Sequence, residues 1–197
     1  MLYCIRYGNK TLTFSINMMQ ENEVQNLIRA AQEGNSEAFG QIYDIYSKQI
    51  YNFLFSKVQH KQTAEDLLHT VFLKAWTNLK TYQPRSNAKF STWLFQIGNF
   101  TLIDHWRTRK TTSELANIEN LAQFAEDQPI YEKYEYLFTA LSKLPLPYQI
   151  VLDLRFKQDL SVEETAKIMG KTAIGVRVMQ HRALKALRSK LKPIIDD

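Results

Sequence analysis

The sequence predicts an all-α protein made of two small helical domains that are joined by an acidic linker. Apolar side chains recur at steps of three and four residues through most of the chain, which is the spacing of amphipathic helices. Glycine and proline are scarce, with 6 and 5 among 197 residues, and this argues against a turn-rich β fold. An acidic stretch interrupts the helical pattern and separates an N-terminal bundle from a C-terminal helix-turn-helix domain.

The bulk composition excludes several classes of protein for this chain. The formal net charge of +5 fits a polyanionic partner. The single cysteine, Cys4, excludes a disulfide framework, and the four histidines lack close metal-ligand spacing, so we expect no metal and no cofactor. No apolar run approaches the roughly 18 residues of a membrane span. Residues 1–19 do not resemble a signal peptide. We therefore expect a cytoplasmic protein without membrane insertion and assign no function to this N-terminal extension.

The first predicted domain, residues 20–110, contains three amphipathic helices. The apolar stripe of the first helix consists of Phe39, Ile42, Tyr43, Tyr46, Ile50, Phe53 and Leu54. The second helix is predicted to begin at Thr63, which is a good N-cap residue. After a polar loop, Ser91 or Thr92 is predicted to cap a third helix that runs to about Arg109. Three such helices predict a bundle.

The predicted linker covers residues 111–135. Between residues 113 and 137, six acidic residues face one lysine, which gives a net charge of −5. This composition indicates a linker that is partly helical near its C-terminal end.

The second predicted domain, residues 136–197, has clear helix boundaries. Ser161 and Glu164 have the spacing of a capping box, which opens a short helix. Gly170 is predicted to end that helix, and Thr172 to cap the last helix, which runs to about Leu191.

Residues 162–181 have the spacing of a helix-turn-helix. Ala166, Gly170 and Val176 stand at relative positions 5, 9 and 15, where the motif needs a small residue, a turn glycine and an inward apolar residue. Ile168 and Met179 are predicted to face inward as well. A plain helical hairpin with a solvated basic face has a similar pattern, so the spacing alone leaves DNA binding open.

The charge of the last helix favours DNA binding. Residues 171–192 contain seven basic residues and no acidic residue. Side chains near the start of a recognition helix reach base edges or phosphates in the major groove. The predicted DNA contacts of this domain are Lys171, Thr172, Arg177, Gln180, His181, Arg182 and Lys185.

Three segments together resemble the extracytoplasmic-function group of bacterial sigma factors. They are TAEDLLHTVFLKAW at 63–76, FSTWLFQIGNFTLIDHWRTRK at 90–110, and the helix-turn-helix. The resemblance covers residues 20–192. It implies a non-catalytic sigma factor that binds core RNA polymerase and directs transcription initiation at promoters through the −10 and −35 elements. It also implies an anti-sigma partner.

For polymerase binding, the resemblance points to the helix at 63–79. The residues implied are Asp66, Leu67, Phe72 and Trp76, of which Phe72 and Trp76 are expected to be mostly core. The family pattern has glutamine followed by an acidic residue where this chain has His69 and Thr70.

The resemblance assigns residues 82–110 to melting and reading of the −10 element, and the helix-turn-helix to the −35 element. Thr92, Gln96 and Asn99 share one polar helix face, and Asn99 occupies the asparagine position of the family. Trp93 is expected to anchor the core. The implied DNA-binding residues of this region are Lys89, Thr92, Gln96, Asn99, Arg107, Arg109 and Lys110.

A helix-turn-helix regulator and an enzyme are the two alternatives to a sigma factor. A helix-turn-helix regulator that acts without being a polymerase subunit would form a stable dimer on palindromic sites. A sigma factor would be a monomer when it is not bound to polymerase. An enzyme is not expected, because the sequence contains no phosphate-binding glycine loop and no catalytic triad motif.

Overall fold

The computed structural model describes residues 22–84, 89–111 and 129–195, and within them every regular element is helical. The N-terminal extension 1–19 and most of the predicted linker, residues 112–128, lie outside the described residues. The α-helices are α1 (22–32), α2 (Ser36–Val58), α3 (Lys61–Asn78), α4 (Phe90–Thr111), α5 (Pro129–Ser142), α6 (Leu146–Leu152), α7 (Val162–Met169) and α8 (Ala173–Ile195). A short 3₁₀ helix, Leu79–Thr81, follows α3, and a π-helical turn, Asp153–Lys157, continues α6.

The first domain is a bundle of α1 to α4 around an aromatic core. The rings of Phe53 on α2 and Phe95 on α4 meet edge to face at 5.4 Å, and both are fully buried. Helix α1 adds Ile28 and Ala31 to this core. The bundle therefore has one helix more than the three that the apolar stripes predict.

Two helix starts in this bundle differ from the prediction. Helix α3 begins at Lys61, where the ring Nδ1 of His60 accepts a hydrogen bond from the backbone N–H of Thr63 at 3.2 Å. The predicted cap at Thr63 is wrong because His60 already supplies the acceptor one turn earlier. Helix α4 begins at Phe90, so Thr92 lies inside its first turn and neither Ser91 nor Thr92 caps it.

The second domain is built from α5 to α8 around its own apolar core. That core consists of Leu144, Val151, Leu152, Ala166, Val176 and Ala183. Helix α5 begins at Pro129, inside the predicted linker. Helix α8 continues through Pro193 to Ile195, past the predicted end near Leu191, because a proline near a helix end removes only one backbone hydrogen bond.

The two domains pack against each other. Four buried apolar residues of the second domain, Ile150, Leu154, Leu160 and Ile168, belong to the hydrophobic cluster of the first domain. Ile168 thus joins the cluster of the neighbouring domain, whereas the helix-turn-helix spacing predicts that it packs on the second helix of the motif. Helices α4 and α7 form the centre of this contact.

Among the described helices, none combines the length and apolar character needed to span a membrane.

Candidate nucleic-acid and protein interfaces

Helices α7 and α8 form a helix-turn-helix with each local signal in place. The Ser161 hydroxyl accepts from the backbone N–H of Glu164 at 3.1 Å, and the Glu164 carboxylate accepts from the backbone N–H of Ser161 at 2.8 Å. Gly170 ends α7 with φ 61°, a left-handed conformation that glycine adopts without strain. The Thr172 hydroxyl accepts from the N–H of Gly175 at 3.0 Å and caps α8. The predicted capping box, turn glycine and second cap are all confirmed.

The outer surface of α8 carries most of the predicted DNA-contacting side chains. The exposed ones are Lys171, Thr172, Arg177, His181, Arg182 and Lys185. Arg177 also contacts Glu163 at 3.4 Å, but both side chains are more than half exposed, so this pair is weak and does not hold Arg177 away from a ligand. Gln180 differs, because its side-chain oxygen accepts from Nε of Arg155 at 3.1 Å within the domain.

Two exposed apolar residues in the first two turns of α8 were missed by the sequence prediction, which named only polar and basic side chains as DNA contacts. Ile174, at the start of the helix, is 72% exposed, and Val178 follows one turn later on the same side. The apolar feature of the DNA major groove is the thymine methyl group. The signal in the sequence is that neither residue falls on the inward positions occupied by Val176 and Ala183.

The predicted −10-reading face of α4 is turned toward the second domain. Asn99 is only 1% exposed, and its Nδ2 donates to the backbone carbonyl of Ile168 at 3.0 Å. The Thr92 hydroxyl, also buried, donates to the Glu164 carboxylate at 3.3 Å. Gln96 is half-buried on the same side of the helix. The predicted polar face exists, but in this structure helix α7 covers it.

The contacts between α4 and α7 also lower the pKa of Glu164. Burial alone would raise the pKa of its carboxyl, but hydrogen bonds from Ser161 and Thr92 and the nearby charge of Lys89 outweigh burial and hold the pKa below its ordinary value. The carboxylate at the start of α7 is therefore stabilised in its ionised form by both domains.

A cavity of about 440 Å³ lies beside the covered face. It is lined by Gln83, Lys89, Thr92, Trp93, Gln96 and Lys167, together with Thr81 and Tyr82. The Trp93 ring packs at 4.9 Å from the ring of Tyr82 and at 5.3 Å from that of Phe90, so it anchors the start of α4 as predicted. Lys167 is the contribution of the second domain.

The basic end of α4 is directed to solvent. Arg107 is exposed and makes a 3.5 Å ion pair with Asp104 one turn earlier. Arg109 and Lys110 lie within α4, and their side chains are outside the described residues.

Of the predicted polymerase-binding residues, two are exposed and two are buried. Asp66 is exposed, and Trp76 is 37% exposed while one side of its ring packs on Phe39 at 4.8 Å. Trp76 is therefore largely buried but keeps one exposed edge, whereas Phe72 is core as expected. Leu67 is buried too, and it packs in the hydrophobic core of the bundle.

Leu73 is a further residue of this surface that the sequence prediction missed. It is 67% exposed and lies three residues before Trp76, so the two form an apolar patch on α3. The signal in the sequence is that Leu73 does not fall on the inward positions of α3, which are occupied by residues such as Val71 and Phe72. His69 is exposed beside the patch, and Thr70 donates to the backbone carbonyl of Asp66 at 2.8 Å.

Comparison with known proteins finds matches over both domains. Residues 42–112 match the family model of Sigma-70 region 2, and residues 134–187 match that of Sigma-70 region 4. The chain is 34% identical over 169 residues to the ECF RNA polymerase sigma factor BldN of Streptomyces coelicolor, covering 82% of this chain and 63% of BldN. It is 32% identical over 166 residues to the ECF RNA polymerase sigma factor SigX of Bacillus subtilis, covering 79% of this chain and 84% of SigX.

The fold also has a solved counterpart. The sigma factor RpoE of Bartonella quintana, solved in complex with the anti-sigma factor NepR, superposes with a TM-score of 0.63 at 24% identity. The superposition covers 78% of this chain and 96% of that chain. At this identity the similarity is one of fold.

Proposed function

Because the chain belongs to the extracytoplasmic-function group of sigma factors, which act with RNA polymerase, we propose a division of labour between its two domains. The first domain, residues 20–110, binds core polymerase and reads the −10 element. The second, which consists of α5 to α8, holds −35 duplex DNA, and the residues between α4 and α5 link the two domains. Membership of this family argues against the alternative function, a helix-turn-helix regulator that acts without polymerase.

The assignment of the second domain rests on the geometry of α7 and α8. A capped helix, a left-handed glycine turn and a second capped helix present one basic surface to solvent. Arg177 lies on the second turn of α8, and His181 and Arg182 follow on the third turn, within the N-terminal half in which a recognition helix contacts bases and phosphates. Lys185, one turn further, is placed for the phosphate backbone.

The assignment of the first domain to the −10 element rests on α4. A carboxamide such as that of Asn99 can hydrogen-bond the edge of an unpaired base through both its donor and its acceptor. Arg107, Arg109 and Lys110 at the C-terminal end of the helix supply positive charge for the DNA backbone. Binding to strand-separated DNA would then favour the open promoter, and the proposal contains no chemical step and no cofactor.

The assignment of the polymerase-binding surface rests on α3. Asp66, Leu73 and Trp76 present one carboxylate beside an apolar patch on a helix that packs against α2 and α4. An exposed aromatic residue with an apolar neighbour is the kind of anchor that dominates protein interfaces.

The proposal extends to the remaining partners. An anti-sigma factor is proposed because RpoE of Bartonella quintana was solved with one. We propose that the protein is a cytoplasmic monomer when it is not bound to polymerase. The acidic linker, with its net charge of −5 between residues 113 and 137, is proposed to mimic nucleic acid in the RNA channel of polymerase. Neutralising its acids would leave abortive initiation unchanged if this idea were wrong.

Size-exclusion chromatography with purified bacterial core polymerase tests the proposal. We expect co-elution at near one-to-one stoichiometry, and promoter-dependent transcription by the isolated complex. Leu73→Lys should weaken co-elution, because it places a charge in the apolar patch of α3. Ile45→Lys is the matched control, since Ile45 is also exposed but lies on α2. A wild-type protein that elutes separately from polymerase as a DNA-binding dimer would contradict the proposal.

A further inference from the structure

We propose that the second domain recognises the C5-methyl group of a pyrimidine through Ile174 and Val178, so that methylation of a cytosine at the contacted position tightens −35 binding. Ile174 makes the contact and Val178 lies beside it; the two are called the apolar pair below. Thymine carries this methyl group in unmodified DNA, and 5-methylcytosine carries it at the same ring carbon. The proposal rests on the −35 role proposed above for α8, and it adds a dependence on DNA modification to that role.

The apolar pair is exposed at a place where the fold does not need it. Ile174 is 72% exposed and Val178 is 44% exposed. The core of the second domain takes Val176 and Ala183 from the same helix, and both are fully buried. A single exposed apolar side chain is common on proteins, but two that stand four positions apart on a helix are neighbours and form one continuous surface. The apolar pair is therefore available to a ligand.

The start of α8 holds this surface in one conformation. The Thr172 hydroxyl accepts from the N–H of Gly175 at 3.0 Å, and its carbonyl accepts from the N–H of Val176, also at 3.0 Å. Isoleucine and valine are β-branched, so each has one strongly preferred rotamer in a helix. The apolar pair therefore presents its methyl groups in a preformed arrangement, which reduces the entropy lost when a ligand binds.

The charge around the apolar pair identifies duplex DNA as its occupant. Residues 171–192 contain seven basic residues and no acidic residue. Exposed cations precede, separate and follow the pair; they are Lys171, Arg177 and Lys185. Phosphates of a DNA backbone match this surface. An apolar protein surface would instead remove water from the cations without supplying counter-charges.

The apolar group that the major groove offers is the methyl at C5 of thymine. Unmodified cytosine has only a hydrogen at that carbon, and 5-methylcytosine restores the methyl without changing base pairing. The members of the apolar pair stand about 6 Å apart along the helix axis. That distance is close to two base-pair steps of about 3.4 Å each, so the pair covers one contacted base and its neighbour.

The size and the salt dependence of the effect follow from the nature of the contact. Burial of one methyl-sized apolar group corresponds to about a fourfold change in affinity. The contact neutralises no phosphate, so Ile174→Ala should leave the slope of log affinity against log salt unchanged. Lys185→Ala should reduce the magnitude of that slope by about one, because it removes a phosphate contact.

The test uses the full chain in complex with core polymerase and a promoter duplex selected by that complex from random sequences. Each thymine of the −35 element is replaced in turn by deoxyuridine. We expect one or two adjacent positions at which the replacement weakens binding by about fourfold. At such a position, replacing thymine by cytosine, with guanine opposite, should weaken binding, and methylating that cytosine should recover about fourfold.

Variants of the apolar pair show whether these residues carry the effect. Ile174→Ala should bind the methylated and unmethylated duplexes equally, whereas Ile174→Val, which keeps the β-branch, should retain most of the preference. Val178→Ala should reduce the preference in part. Leu184→Ala is the matched control and should behave like the wild type, because Leu184 is 41% exposed on the same helix but ten positions after Ile174. Thermal unfolding of Ile174→Ala should match the wild type, since the side chain is exposed.

The possible outcomes separate this proposal from the one on which it rests. Equal binding of the wild type to duplexes with and without the methyl group, at every position, would overturn the methyl contact. A preference that persists in Ile174→Ala would overturn it as well, because the methyl group would then act through the shape of the DNA. The −35 role itself fails only if the polymerase complex does not prefer an intact −35 element to a scrambled one. We expect a methyl preference at one or two adjacent positions and its loss in Ile174→Ala.

Discussion

Replacing the turn glycine of the helix-turn-helix with alanine should destabilise the second domain. Gly170 has φ 61°, and a Cβ at this position meets nothing within 4 Å. Steric contact with neighbours therefore adds no cost, and the penalty is the backbone strain of an L-residue in the left-handed region. That strain is about 1–2 kcal/mol.

The same substitution at Gly40 should act in the opposite direction. Gly40 lies in the interior of α2, is exposed, and also has nothing within 4 Å of an added Cβ. Alanine there should stabilise by about 0.5–1 kcal/mol, because glycine costs that much in a helix interior. The two variants thus make one chemical change in equally open surroundings, and only the sign of φ differs.

Urea denaturation followed by circular dichroism measures both effects. For a chain of this size, a change of 1 kcal/mol shifts the melting temperature by roughly 2–4 °C, so thermal unfolding offers a second readout. Gly170→Asn should lose less than Gly170→Ala, because asparagine tolerates the left-handed region better. Equal losses at Gly170 and Gly40, or a neutral Gly170→Ala, would refute the strain argument.

Four further predictions concern caps, ionisation and DNA contacts. Ser161→Ala should lower the free energy of unfolding by about 1 kcal/mol in urea, because it removes the cap of α7. Glu164→Gln should be less stable than the wild type at neutral pH. Because folding lowers the Glu164 pKa, this deficit should shrink as the pH falls below the ordinary glutamate value of about 4.3, and a deficit that does not change with pH would contradict it. The wild type should bind −35 duplexes more tightly with thymine than with deoxyuridine, and Ile174→Ala should remove that difference; equal wild-type binding to both duplexes would exclude a methyl contact. Asn99→Ala should weaken open-complex formation, measured by permanganate footprinting, while co-elution with polymerase is unchanged; lost co-elution would mean that its role is structural.

Features with short-range causes were predictable from the sequence. The capping box, the turn glycine and the cap at Thr172 each depend on residues within five positions, and the structure contains all three. The start of α3 could not be predicted in this way. The His60 ring and the Thr63 hydroxyl are both possible caps there, and a histidine ring is an uncommon one.

The contact between the domains could not be predicted in the same way. Asn99 and Ile168 lie 69 positions apart, and Lys57 and Asp153 lie 96 apart. Periodicity identifies Ile168 as an inward residue, but it cannot say which of two cores receives it. The sequence correctly predicted the polar face of α4. It could not predict that α7 covers this face, because the covering surface exists only once the second domain has folded.

Helix α1 lies before the segment that matches Sigma-70 region 2, yet it closes one end of the bundle. The side-chain amide of Gln32 donates to the carbonyls of Leu79 and Tyr82 at 2.9 and 2.7 Å, where α3 gives way to the loop before α4. A fragment cut at residue 42, where the match begins, would leave both carbonyls and the pocket for Ile28 open to water. Fragments meant to study polymerase binding in isolation should therefore begin ahead of residue 22, or the carbonyls of Leu79 and Tyr82 will lose the donor that holds the end of α3 in place.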